Sequence, residues 1–163
     1  RNNVVFGSGH YKAKILIIGE APGKDEDLSG QPFVGRAGKL LSEILFSMNL
    51  NRDDVYITNT VKCRPPENRN PSSSETLSCD FFLENQINLI SPNVIILLGK
   101  VAAQKMINTS EAMSSLRGKV YYYKDMKIPM LVFYHPAYLL RSPTEKKKVW
   151  DDILLLKNIT NVC

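Results

Sequence analysis

Ile15-Leu16-Ile17-Ile18-Gly19-Glu20-Ala21-Pro22-Gly23 is the stretch on which the reading of this chain turns. Its run of branched apolar residues suits a strand buried on both faces, as in a parallel sheet. A turn carrying one carboxylate, Glu20, follows at once. The same grammar recurs further along. Val55-Tyr56-Ile57-Thr58 runs into Asn59, Val94-Ile95-Ile96-Leu97-Leu98 into Gly99, and Met130-Leu131-Val132-Phe133-Tyr134 into His135. Open α/β sheets bind ligands beyond the carboxyl ends of their strands. A carboxylate, a carboxamide and an imidazole are therefore expected on one rim.

Helical patterns alternate with these strands. After a polar loop, Ala37, Leu40, Leu41, Ile44, Leu45 and Met48 fall at helical spacing from Gly35 onward. Ser72 with Glu75 makes a capping box opening a helix whose Cys79, Leu83, Ile87 and Ile90 share a face. Ser91-Pro92 ends it, and Ala102, Ala103, Met106 and Ile107 mark a short helix after Gly99. Thr109 to Pro129 is less regular, with a turn at Lys124-Asp125. Ser142-Pro143-Thr144-Glu145 reads as a second capping box with Pro at the first helical position. The pattern predicts one domain over residues 1–163, a three-layer α/β/α sandwich on a mainly parallel sheet of four strands.

Composition narrows the class. A hydrophobic content of 44% over 163 residues supports one substantial core. No apolar run approaches the roughly 20 residues that cross a bilayer, so no membrane partner is expected. Arg1-Asn2-Asn3 leads directly into strand-like and turn-like sequence, so no signal peptide is expected, and the missing initiator Met suits a chain that is processed, trimmed or lacking its first segment. The net charge of +5 fits either a solvated cationic surface or a polyanion partner, and charge alone does not separate them. Cys63, Cys79 and Cys163 make no disulfide framework and suit a reducing compartment.

By itself Gly19-Glu20-Ala21-Pro22-Gly23 is only a tight turn, without the spacing of a dinucleotide fingerprint or a Walker lysine loop. Motifs later in the chain give it meaning. Glu26-Asp27, Gln31-Pro32-Phe33-Val34-Gly35-Arg36-Ala37-Gly38 and Tyr56-Ile57-Thr58-Asn59 come next. Lys62-Cys63-Arg64-Pro65-Pro66 and His135-Pro136-Ala137-Tyr138-Leu139-Leu140-Arg141 complete the set. In this order, from Val4 to Lys157, the motifs resemble those of the family-four, iron–sulfur uracil-DNA glycosylases. The resemblance implies a uracil-DNA glycosylase-like fold and a monofunctional hydrolase of base excision repair. Such an enzyme flips uracil out of single- or double-stranded DNA and hydrolyses its N-glycosidic bond. It also implies a cytoplasmic, nucleoid-associated monomer.

Residue roles carry over onto matching positions. Gly19, Ala21, Phe33, Asn59 and Glu26 are expected around uracil. The ring of Phe33 suits stacking on the flipped base, against the alternative of an ordinary core Phe; Pro32 and the nearby glycines favour a loop. Asn59 offers the acceptor and donors that complement uracil N3–H and O4, and that mismatch cytosine. His135 stands where charge develops on uracil O2, against the alternative of a structural His at a strand end. Glu20 is expected to orient water or to favour the cationic sugar. Asp25, Glu26 and Asp27 are its rivals unless they form a solvated acidic turn. Better-known relatives carry Asp where Ala21 stands, and a methyl-blocking aromatic where Gly23 stands. Glu26 is therefore expected to fill the space beside C5. Leu139, Leu140 and Arg141 are expected on an exposed loop, with Leu139 as a minor-groove wedge and Arg141 on a phosphate. Cys63 and Cys79 match the last two of four cysteines that hold a [4Fe–4S] cluster, with two more expected upstream of Arg1. In the chain as written they read as two buried structural thiols, and Cys163 as a tail residue.

Other classes fit less well. A non-catalytic DNA-binding domain, such as one attached to a polymerase, would not need Glu20, Asn59 and His135 together. A relative that cross-links itself to the abasic sugar would carry a basic, His-containing insertion and Gln in place of Ala21. A small-molecule nucleosidase would need neither Leu139-Leu140-Arg141 nor a basic surface.

Overall fold

The computed structural model describes residues 1–161, so Cys163 lies outside the described residues. Its strands are β1 (Ser8–Gly9), β2 (Ile15–Gly19), β3 (Tyr56–Asn59), β4 (Val94–Leu98), β5 (Tyr121–Tyr123) and β6 (Ile128–Phe133). They form one sheet in the order β1-β3-β2-β4-β6-β5. β3, β2, β4 and β6 run parallel to their neighbours, in the registers Gly19↔Asn59, Ile18↔Leu97 and Leu98↔Phe133. These are the four strands expected from the apolar runs.

Helices cover both faces, which explains why those runs are apolar without alternation. Ile15, Ile17, Ile57, Val94 and Ile96 pack with helix α2 (Arg36–Ser47), α6 (Pro136–Arg141) and α7 (Lys146–Ile159). Leu16, Ile18, Ile95 and Leu97 pack on the other side with α3 (Ser73–Ile90), α4 (Lys100–Ile107) and α5 (Met113–Leu116). The three-layer sandwich is the one expected, but its sheet is larger. β1 and β5 add antiparallel edges, one pairing β3 and the other β6. Two- and three-residue strands are too short to display a period of two, so neither was visible in the sequence.

Two local expectations need correction. The polar loop after β2 contains a short helix, α1 (Lys24–Ser29), closed by Gly30 in the left-handed conformation. The box at Ser72 forms as expected, but Ser142 caps nothing through its side chain. Residues Pro143–Glu145 make a 3-10 turn instead, and the Glu145 carboxylate pairs with Lys148 at 2.7 Å.

Candidate active site

Parallel strands deliver their ends to one side of the sheet, and the chain reverses its direction of travel across the sheet at β2, between β3 and β4. Such switch points leave a crevice. Here the crevice is a cleft of about 840 Å³, lined by Glu20, Ala21 and Gly23 after β2, by Gly99 after β4, and by His135 and Tyr138 after β6.

Gly19 stands at the same strand ends, with Asn59 and Phe33, though none of the three lines the cleft itself. A Cβ there would come within 2.5 Å of Asn59 Oδ1 and 2.6 Å of Phe33 Cζ, so only glycine lets these two side chains meet over the strand end. Asn59 is buried, and its Oδ1 is the only buried side-chain oxygen or nitrogen among the described residues without a hydrogen-bond partner. An unmet buried acceptor costs about 1–3 kcal/mol, so it marks a place where a ligand donor is wanted.

Phe33 is buried as well, and its ring centroid lies 5.6 Å from that of His135. It thus belongs to the core, beside His135, and does not line the cleft. Its φ of +51° is strained for a residue with a Cβ. Two side chains hold it there. Arg52 donates from Nη1 to Phe33 O (2.8 Å) and from Nη2 to Pro32 O (2.7 Å). Glu26 Oε1 accepts from the N–H groups of Val34 (3.1 Å) and Gly35 (3.2 Å). Arg52 has no signal in the sequence, because its partners are backbone carbonyls far along the chain. The Glu26 carboxylate, expected beside C5, is engaged in fastening this loop.

His135 is the N-cap of α6. Its Nδ1 accepts from the Ala137 N–H at 3.0 Å, so the neutral ring carries its proton on Nε2. Burial, with Arg141 nearby, pushes its pKa down to about 4. Gly99 makes room for it: its φ is +90°, and a Cβ there would sit 3.0 Å from His135 Cβ. Glu20 faces the cleft half-buried, and burial raises its pKa. Its backbone oxygen is held by Thr60 Oγ1 (2.7 Å) and Val61 N–H (3.3 Å), while its carboxylate makes no hydrogen bond among the described residues. Its rivals divide. Asp25 is exposed, whereas Asp27 is covered by the N-terminal segment, accepting from the backbone N–H of Asn2 (2.8 Å) and Asn3 (3.2 Å).

The expected wedge does not stand on a loop. Residues 136–141 form α6, and Leu139 is fully buried against α2 and α7. Leu140 is half-buried on the same core, and only Arg141 is exposed, at the rim of the cleft. Pro136, as the first helical residue, starts a helical turn where a loop was expected.

Pro65 lines both the cleft and a second cavity of about 480 Å³ that contains Cys63, Cys79 and Arg1. Arg1 Nη1 donates to Cys63 Sγ (2.9 Å), and the Lys62 N–H to Cys79 Sγ (3.4 Å). Two thiols supply half of what a [4Fe–4S] cluster takes, and no group of three or more metal-binding side chains exists among the described residues. The residues present do not fit a whole cluster.

Comparison with known proteins gives a consistent placement. The model of the uracil DNA glycosylase superfamily matches residues 6–154. The chain is 45% identical to a type-4 uracil-DNA glycosylase of Archaeoglobus fulgidus, over 100% of this chain and 83% of that protein. It is 44% identical to a type-4 uracil-DNA glycosylase of Saccharolobus solfataricus, over 96% of this chain and 76% of that one. A Thermotoga maritima relative of the same description is 42% identical, over 94% and 81% respectively. With its motifs in order and its polar groups gathered at the strand ends, the chain belongs to the uracil-DNA glycosylase superfamily, among the type-4 enzymes.

Proposed function

We propose that the cleft excises uracil from DNA, as a repair enzyme acting on deaminated cytosine. The observation that carries this reading is the buried, unpaired Oδ1 of Asn59. Uracil N3–H is a donor of the required kind, and the same amide can donate from Nδ2 to O4. Cytosine offers an acceptor at N3 and an amino group at C4, so each hydrogen bond would face its own kind. Sites built on such pairing reject the wrong edge because their own buried groups go unmet.

The chemistry then follows from the remaining groups. The bond between N1 and C1′ breaks with its electron pair leaving on uracil, where the charge spreads to O2. The Nε2–H of neutral His135 supplies a donor for that oxygen, which favours the transition state over the ground state. Water adds to C1′ and gives up a proton. Glu20, unpaired and with its proton affinity raised by burial, is suited to orient that water or accept its proton. The products are free uracil and an abasic sugar. No step is routed through a metal cluster. A [4Fe–4S] group enters this reading only where two further thiolates join Cys63 and Cys79. The monomeric state, the use of both single and double strands, and a nucleoid-associated cytoplasmic location belong to the same proposal.

The test is release of uracil from an oligonucleotide, compared with free deoxyuridine, for the parent and Asn59→Asp. The parent should act on DNA and leave the nucleoside intact. Asn59→Asp should discriminate less against cytosine, because a carboxylate cannot donate to O4. Unchanged rate and selectivity in that variant would remove Asn59 as the base reader.

A further inference from the structure

Tyr138 sits at the mouth of the cleft with His135 and Arg141, half-buried, and does not face the core alone. Its ring stacks on Tyr134, with centroids 4.9 Å apart and planes 25° from parallel. The Arg117 guanidinium lies over Tyr134 as well, 4.6 Å from its centroid. Tyr134 thus has both the Tyr138 ring and the Arg117 guanidinium against it. Arg117 is fixed in turn. It donates from Nε to Asp152 Oδ2 (3.1 Å), and from Nη2 to Asp152 Oδ1 (2.9 Å) and Lys148 O (3.0 Å). Asp152 is buried in α7. A chain of contacts therefore runs from the buried Asp152 carboxylate through Arg117 and Tyr134 to the Tyr138 ring at the edge of the cleft.

We propose that Tyr138 is a stacking platform for a nucleobase adjacent to the flipped uracil. The inference rests on the uracil-excision reading and adds a second base subsite to it. Three features argue for it. A base that loses its neighbour exposes an apolar face, and an aromatic ring at the cleft mouth covers it whatever its identity. Leu139, the expected filler of that gap, is buried and cannot reach it. These contacts also fix the ring in advance, so little side-chain freedom is lost on binding.

The test uses single-stranded oligonucleotides with one uracil and 2-aminopurine placed in turn on its 5′ and 3′ sides. On binding the parent, one of the two positions should stay dark through stacking. With Tyr138→Ala that position should brighten and Kd should weaken about ten-fold, whereas Tyr138→Phe should keep it dark. A DNA-side control needs no altered protein: an abasic spacer at the same position should weaken binding of the parent about ten-fold and that of Tyr138→Ala much less. Equal brightness in parent and Tyr138→Ala at both positions would overturn the platform, as would indifference of the parent to the spacer. Fluorescence is read on binding. A parent that binds but releases no uracil would therefore overturn the functional reading and leave the stacking result standing.

Discussion

The proton of His135 is placed by its neighbours. Ala137 N–H occupies Nδ1, and burial drives the pKa to about 4, against about 6.5 in an unfolded chain. The sign of the linkage is then fixed. Between those two values the unfolded chain binds a proton that the folded one refuses. Stability is therefore unaffected by this group above pH 6.5 and is lost as pH falls toward 4, by at most on the order of 3 kcal/mol. The rate should behave accordingly. Single-turnover excision should show no inflection near pH 6.5, and His135→Ala should lower it on the order of a hundred- to a thousand-fold. A parental inflection near 6.5 that vanished in His135→Ala would show that the imidazole titrates at its ordinary value. At this scale the sequence was informative wherever a polar residue ended an apolar run, as at Glu20, Asn59 and His135. It was silent on Arg52 and on the fastening role of Glu26, because both bind backbone groups of a loop whose shape exists only in the folded chain.

Among the elements, α6 shows how a correct motif can carry a wrong geometry. With His135 as N-cap and Pro136 at the first position, Leu139 falls three residues on, beneath the same face as Pro136, and both are buried. A Leu-Leu pair beyond a strand end looks exposed only if no helix is assumed there. Leu139→Ala should therefore cost about 2–5 kcal/mol of stability, as truncations of core leucines do. Below its lowered melting temperature it should slow excision from single- and double-stranded DNA equally; a loss confined to duplex would restore the wedge. The two predicted capping boxes make a similar contrast. Ser72 Oγ accepts from Glu75 N–H at 3.2 Å, and the Glu75 carboxylate accepts from Ser72 N–H at 3.0 Å. Ser142 makes no such bond with its side chain, since Glu145 is drawn to Lys148. Ser72→Ala should cost about 1 kcal/mol in urea unfolding, and Ser142→Ala close to nothing. Equal costs would mean that the second box forms in solution. Spacing alone could not separate the two, because a competing cation one turn away decides the outcome.

Over the whole molecule, an excess of positive charge has to be connected to the cleft. The net charge is +5, and three cations, Arg69, Lys100 and Arg141, line the rim around His135. They are not equivalent. Arg69 is already bound to the Glu75 carboxylate, which raises its own pKa and holds that of Glu75 down to about 2. Lys100 and Arg141 are exposed and carry no ion pair among the described residues. Each phosphate neutralised by a cation releases counterions, so the slope of log affinity against log salt counts the contacts, at about 0.7 per contact on single strands. Lys100→Ala and Arg141→Ala should each reduce that slope by about 0.7. Arg69→Ala should reduce it less, since its guanidinium is engaged by Glu75 and not free to hold a phosphate. Lys124→Ala serves as the reference: this lysine pairs with Glu84 at 2.7 Å in a groove apart from the cleft, and its loss should leave the slope unchanged. If Lys124→Ala lowered the slope as much as Lys100→Ala, the basic charge would be acting as a diffuse field, and the rim of the cleft would have no special part in holding DNA.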